Sequence, residues 1–309
     1  RHMSTSYPPI TLHLGAHRTA TTRLQKTLDN NAGLLTAEGV AALTPPYAGK
    51  RNKLTIRSVH RMSRRALNSR FLPKRLYFRN RANQTLKALI PQTTRRIIIS
   101  DENMLGPIFD RVTGRGLYPD AAEHLQAVRK LLGSDICEIH LTLRSYEQFI
   151  VSAYAMSALY AGNLPPFEKI RDRLLSIEQS WVEIIETIHA VFDQTPLHIW
   201  RFDQLDLQHQ LSELLGKPLA KQLRYDNRSV INSAPTGEAI EYALSNKRTN
   251  SFDPDSVLKR FASGRPFSPL TKEELERLGQ NFLSDLKTID ELTHTHSANI
   301  KIHKLPDRC

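Results

Sequence analysis

The stretch Thr11–Leu28, TLHLGAHRTATTRLQKTL, stops an alternating apolar run at Gly15. It follows with His17, Arg18 and a cluster of small hydroxyl residues, Thr19, Thr21 and Thr22, before a helical pattern begins. A strand that turns through glycine into a helix builds an anion site. The first helical amides have no partner inside the helix, and the macrodipole adds positive potential there. Phosphate and sulfate are the groups such a turn holds. The nearest named pattern is the Walker A loop, G-x-x-x-x-G-K-[ST]. Aligned on Gly15, it puts Ala20 at the second glycine and Thr21 at the lysine, while the charge sits three residues earlier, at Arg18. Lacking that lysine, the loop suits a phosphate-like group better than the phosphates of ATP or GTP. A second site for chemistry is IIISDENM, which places Asp101 and Glu102 just past an apolar strand. Ligands of open α/β sheets bind at such strand ends. A carboxylate there can serve as a general base, or cap the following turn.

The elements that must position these residues are legible from periodicity. Strands are expected at Ile10–Gly15, Glu38–Leu43, Arg95–Ser100, Asp135–Arg144 and Leu197–Phe202, alternating with helices. Helices are expected from Thr21, over DAAEHLQAVRKLLG with Gly133 as its stop, and over SYEQFIVSAYAMSALY with Ser145 and Gln148 as a capping box. A long helix at about 170–192 precedes the last of these strands, and a mostly helical final third covers 237–246, 254–262 and 271–292. Alternation of this kind predicts an α/β fold with a central, mostly parallel sheet flanked by helices. The 309 residues, 40% of them hydrophobic, are expected to form a single domain over 4–309, with Arg1-His2-Met3 as a tag or cloning scar. No apolar run approaches the roughly 18 residues that cross a bilayer, and no signal peptide is expected. The two cysteines, Cys137 and Cys309, make no disulfide framework, so the expected compartment is the cytoplasm.

The first motif has a family resemblance. HLGAHRTATTRLQ resembles the 5′-phosphosulfate loop of bacterial-type sulfotransferases that use 3′-phosphoadenosine 5′-phosphosulfate (PAPS), which reads K-[ST]-G-T-T with L-Q often in the next helix. Arg18-Thr19-Ala20-Thr21-Thr22 fills the pattern and Leu24-Gln25 follows in register. The family's 3′-phosphate pair, an Arg ending a strand and a Ser eight residues on, is matched by Arg144 and Ser152 in RSYEQFIVS. Its later aromatic-acid-acid-Leu stretch is matched by RFDQL, with Gln204 in place of one acid. The three matches run in family order from about Ile10 to Leu205, and the final third matches only loosely, in FSPLTKEELERL.

The resemblance implies a P-loop-like sulfotransferase fold and PAPS as co-substrate, with no metal. It implies that Gly15, His17, Arg18, Thr19, Ala20, Thr21 and Thr22 line the phosphosulfate, that Arg144 and Ser152 clamp the 3′-phosphate, and that Phe202 stacks on adenine or else joins the core. Arg18 is the charge on the leaving oxygen. It replaces the family's lysine, so stabilisation survives but proton donation by this group does not. Ala20 replaces the family's glycine. Glu102 is the chosen general base, Asp101 its neighbour, and His17 and His60 stand in reserve. The hydroxyls of Thr19, Thr21 and Thr22 serve as ligand donors, helix caps or both.

Charge adds a separate feature. Between Glu38 and Asp101 lie fifteen Lys or Arg and no acidic residue, while the rest of the chain is near neutral. In TIRSVHRMSRRAL, Ile56, Val59, Met62 and Ala66 share one helical face and Arg57, Arg61, Arg64 and Arg65 the opposite one. A basic helical insertion is therefore expected at about 45–92. It suits an anionic acceptor, a glycan or a lipid, or contact with a membrane surface. No nucleic-acid motif accompanies it, and no oligomeric state is legible. The rival readings are a P-loop kinase or NTPase and a non-catalytic anion-binding protein of the same fold.

Overall fold

The computed structural model describes residues 7–45, 55–107, 116–160, 164–225, 234–246, 252–295 and 299–303. The tag-like Arg1–Met3, Cys309 and the 46–54 part of the expected insertion lie outside them. The five expected strands are present as β1 (Ile10–His13), β2 (Val40–Leu43), β3 (Arg96–Ser100), β4 (Ile136–Leu143) and β5 (Leu197–Arg201). A sixth, β6 (Ile300–His303), was not expected from the sequence. Four residues carry too short an alternation to stand out, and the strand is an edge that shows Lys301 to solvent, as protected edges do.

All six strands are parallel, in the order β2-β3-β1-β4-β5-β6. Both faces are covered, so the central strands are buried along their length. Ile97 and Ile99 of β3 point into the larger core, with Ile10, Leu12, Ile139 and Leu141. Ile98 points the other way, against Leu24 and Leu28 of helix α1 (Thr21–Asn30) and Leu211 and Leu214 of the helix Leu207–Leu215. This is an α/β fold with helices on both faces of a parallel sheet.

Three local expectations are corrected. The long helix at 170–192 is two helices, Phe167–Leu175 and Trp181–Phe192. Ser180 starts the second with a capping box, accepting from the Glu183 amide at 3.3 Å while its own amide donates to Glu183 Oε2 at 2.6 Å. Such a reciprocal cap ends one chain direction and begins another. The box expected at Ser145 and Gln148 does not form. Ser145 Oγ donates to Glu147 Oε1 at 2.5 Å, and Gln148 Oε1 is taken by Arg144 Nε at 3.4 Å. Finally, the cationic face of the helix Ile56–Asn68 is partly used inside the fold, because Arg64 pairs with Glu123 and Arg57 with Asp101 and Glu102.

The sheet order also says where a ligand belongs. β1 leads toward β2 on one side and β4 toward β5 on the other, so the chain reverses direction between adjacent β1 and β4. The crevice at such a switch point, beyond the carboxyl ends of the strands, is the ligand site of open α/β sheets. The chain there is the turn after β1 and Arg144 after β4.

Candidate functional site

The turn at 14–20 is built to wrap closely. The amides of Leu14 and Gly15 both reach His140 O of the neighbouring strand, at 2.9 and 3.4 Å. Gly15 has φ +48°, and a Cβ there would lie 2.6 Å from Thr21 Oγ1 and 3.1 Å from His13 Cε1. Glycine is required both by the backbone and by the space. Arg18 and Ala20 also adopt left-handed backbone, at φ 66° and 60°. For a residue with a Cβ this costs about 1–2 kcal/mol, so the alanine stands in a conformation that suits glycine better. Ala20→Gly, at an exposed site, is expected to stabilise the protein by about 1 kcal/mol, seen as a higher denaturant midpoint at unchanged slope. An unchanged or lower midpoint would contradict the strain.

Those turns redirect the hydroxyls. Thr19 Oγ1 donates to Ala16 O at 2.7 Å, and Thr21 Oγ1 lies 3.4 Å from both Ala16 O and Thr19 Oγ1. Both side chains are buried and hold the loop closed, in contrast to their expected service as ligand donors; Thr22 is half-buried. The first amides of a helix have no partner inside it and are the donors such a turn offers. Ala20 is the N-cap of α1 and offers no side-chain acceptor, and no acidic residue stands in the first turn.

Arg18 and Arg144, 126 residues apart in sequence, meet beside this turn. Arg18 Nε donates to Ser152 Oγ at 2.7 Å, and Arg144 Nη1 donates to the Arg18 carbonyl at 2.5 Å. Ser152 is buried on the helix Tyr146–Tyr160. Phe202, expected either in the core or against a ligand, is half-buried and carries the Arg144 guanidinium 4.5 Å over its ring. Trp181 Nε1 donates to the Arg144 carbonyl at 2.9 Å and fixes the start of that helix. Burial and then the like charge of Arg18 lower the Arg144 pKa to about 10. Burial likewise lowers that of Arg18. Two guanidiniums held together under partial burial are stabilised by an anion between them.

On the β3 side the carboxylates divide their roles. Asp101 is fully buried, and its Oδ1 caps the short turn Glu102–Met104 by accepting from the Asn103 amide at 3.0 Å. Arg57 Nη2 lies 3.4 Å from the same oxygen. The capping alternative therefore falls on Asp101 Oδ1, while its buried Oδ2 has no hydrogen-bond partner among the described residues. Glu102 is half-buried, with Gln25 Nε2 of α1 donating to its Oε2 at 3.1 Å and Arg57 Nη2 3.7 Å from its Oε1. Burial, then the neighbouring Asp101, raises the Glu102 pKa. A raised carboxylate pKa moves it toward the range of an effective general base at neutral pH.

The two reserve histidines take other parts. His17 is tied to Tyr118, whose hydroxyl accepts the His17 amide at 2.9 Å and lies 3.1 Å from Nδ1. Burial lowers the His17 pKa to about 4, so the ring is neutral at pH 7. His60 is buried against His124, ring centroids 5.2 Å apart, and burial lowers its pKa too. Tyr118 and Arg57 were not singled out as site residues by the sequence. The first sits in a stretch without periodic signal, and the second was one arginine among fifteen basic residues.

The sequence also missed a row of imidazoles across β4, β5 and β6. His140 and His198 are register partners with rings 4.4 Å apart and within 7° of parallel, and His198 Nδ1 lies 2.8 Å from His303 Nε2. Glu138 Oε2 stands 3.7 Å from His198 Nε2, and Glu213 Oε2 3.9 Å from His303 Nδ1. Two overlapping sets, Glu138-His140-His198 and His198-Glu213-His303, bring their ligand atoms within 4.8 Å of one another, near enough to surround a metal ion. Their chemistry suits a row of neutral, stacked and hydrogen-bonded rings better. Parallel rings aim their in-plane lone pairs past each other, and Trp200 Nε1 donates to His140 Nδ1 at 3.1 Å, which leaves the His140 proton on Nε2.

Burial lowers the pKa of His198 to about 4 and of His303 to about 3. The unfolded chain then takes up protons that the folded one refuses. The stability these rings contribute is complete above about pH 6.5 and is lost as pH falls toward the folded values. The melting temperature should fall between about pH 6.5 and 4 and change little from 6.5 to 8; a profile flat across the acid range would contradict neutral burial.

In space, the strand order sets Glu102 after β3, the Gly15 turn after β1, Arg144 after β4 and Phe202 after β5 in one row along the carboxyl edge of the sheet. No protein-family model matches the chain and no curated protein matches it, so the functional reading rests on these residues and their geometry.

Proposed function

We propose that this protein is an enzyme that moves the sulfuryl group of PAPS to a hydroxyl or amine of an acceptor. The observation that carries the reading is the meeting of Arg18, Arg144 and Ser152 beside the N-terminus of α1, at the β1–β4 switch point. The residues fit a nucleotide with a phosphate at each end of its ribose. The amides opening α1 face a 5′-phosphosulfate, and Arg144 with Ser152 faces a 3′-phosphate, with Phe202 beside them for the base. PAPS supplies an activated sulfuryl group. What the chain supplies is position and charge, as in phosphoryl transfer. Arg18 neutralises the charge that grows on the leaving oxygen, and Glu102 accepts the proton of the attacking group. Since arginine keeps its proton, the leaving group departs as an anion held by charge.

The acceptor we favour is anionic or amphipathic, a glycan or lipid, because Arg57 brings the basic helix Ile56–Asn68 to the edge of the site beside Glu102. A reducing cytoplasm suits the free thiol of Cys137.

A thermal-shift panel of adenosine 3′,5′-bisphosphate, AMP and Mg-ATP tests the reading. Ligand at 100 times its dissociation constant stabilises by about 2.7 kcal/mol. The bisphosphate is expected to raise the melting temperature most. AMP matching it would remove the 3′-phosphate assignment, and Mg-ATP exceeding it would favour a kinase or NTPase. Bisphosphate binding without sulfuryl transfer to any acceptor would favour the non-catalytic alternative.

A further inference from the structure

The helices Ile56–Asn68 and Leu72–Leu89 pack along one another as a hairpin joined through Ser69–Phe71. The base of the hairpin is anchored. Ile56, Val59, Ala82 and Leu86 enter the main core, and Ser63 Oγ donates to Ala127 O at 2.6 Å. The first half of the second helix stands clear of it. Phe71, Leu72, Leu76 and Tyr77 are 61, 53, 39 and 62% exposed, so four of the seven large hydrophobic side chains exposed among the described residues fall in seven consecutive positions. Isolated apolar residues on a surface need no explanation, but a cluster of this size marks a contact.

The charge around the cluster identifies the contact. The hairpin carries ten Lys and Arg and no acidic residue between 56 and 89. Arg57 and Arg64 are spent on Asp101, Glu102 and Glu123. The other eight have no ion-pair partner among the described residues, and Arg70, Lys74, Arg75, Arg79 and Arg81 surround the apolar tip. Bulky aliphatic and aromatic groups set among cations are the composition of a segment that enters the headgroup boundary of an anionic bilayer. A second copy of the chain is a poor occupant, because two hairpins without a single acid repel each other. Nucleic acid would use the cations but gives Leu72 and Leu76 nothing to bury against. No described helix is long and apolar enough to cross a membrane.

We infer that the 56–89 hairpin docks the protein on an anionic lipid bilayer, with Phe71, Leu72, Leu76 and Tyr77 entering the interface and the basic residues around them meeting lipid phosphates. Because Arg57 belongs to the same hairpin, docking brings the edge of the candidate site to the lipid surface. The inference stands independently of sulfuryl transfer.

The test is co-sedimentation of the full chain with phosphatidylcholine vesicles, with and without phosphatidylglycerol. Binding is expected only to the mixed vesicles. Lys74→Gln/Arg75→Gln is expected to lower the partition coefficient about 25-fold, about fivefold per charge. Leu76→Gln/Tyr77→Gln is expected to lower it about tenfold at the same salt. All four residues are exposed, so both variants should retain the wild-type melting temperature and bisphosphate response. In Tyr77→Trp, tryptophan emission should move to the blue on the mixed vesicles, over a constant signal from buried Trp181 and Trp200. Equal binding to both vesicle types, or to neither, would overturn the inference. So would loss of binding in the charge variant alone with unmoved emission at position 77, which describes adsorption without entry. A lipid-free dimer abolished by Leu76→Gln/Tyr77→Gln would assign the tip to a second copy instead.

Discussion

Arg18→Ala is expected to slow sulfuryl transfer by about two to three orders of magnitude while weakening adenosine 3′,5′-bisphosphate by less than about tenfold. Removing one preorganised charge from a developing oxyanion typically costs a factor of this size. The asymmetry arises because the leaving oxygen gains its extra charge only in passing, whereas the product complex never contains it. The contact with Ser152 sharpens the test. If Arg18 merely supports the serine, Ser152→Ala and Arg18→Ala should lose bisphosphate affinity alike, with turnover following. If it serves the leaving oxygen, Ser152→Ala should lose affinity and keep most of its turnover at saturation. Arg18→Lys keeps a positive charge at this position and should retain activity. The measurement is release of the bisphosphate from PAPS, with parallel calorimetric titration of the product.

Arg144→Gln is expected to remove the preference for adenosine 3′,5′-bisphosphate over AMP. A hydrogen bond to a charged group contributes about 1.5–3 kcal/mol, so bisphosphate affinity should fall by roughly 10- to 100-fold while that of AMP stays close to wild type. The guanidinium lies over Phe202 and bonds the Arg18 carbonyl, so part of any loss could come through the loop. AMP reports on that part, because it uses the loop without the 3′-phosphate. A parallel drop for both nucleotides would assign Arg144 to loop support.

Much of the site was legible because its parts are local. An alternating run, a glycine and a row of threonines announce a strand, a turn and a helix without any knowledge of the partners. Three strands away, RSYEQFIVS announces another strand end in the same manner. Adjacency was not legible. Nothing in the order of the chain says that β4 lies beside β1, and that pairing alone brings Arg144 to Arg18. Side-chain direction was hidden for a similar reason. The spacing of Thr19 and Thr21 gives two hydroxyls near an anion, but left-handed backbone at Arg18 and Ala20 turns both inward.

Residues that act through long-range contact were missed altogether. Tyr118 supports the loop through His17, and the imidazole row draws its five members from three strands and a helix. Glu102 was singled out by its place after β3, and its different surroundings from Asp101 needed the cap at Asn103 to be seen. The basic helix was read correctly as amphipathic. Its sequence did not reveal that Arg57 and Arg64 turn back into the fold, leaving the tip of the hairpin as the free cationic surface.

The most direct measurement is a crystal structure grown with adenosine 3′,5′-bisphosphate. It should show the 5′-phosphate against the amides of Thr19–Thr22 and the 3′-phosphate between the Arg144 guanidinium and the Ser152 hydroxyl. A nucleotide bound away from the β1–β4 crevice, or seated there with its 3′-phosphate in open solvent, would contradict the proposed sulfuryl transfer at its foundation.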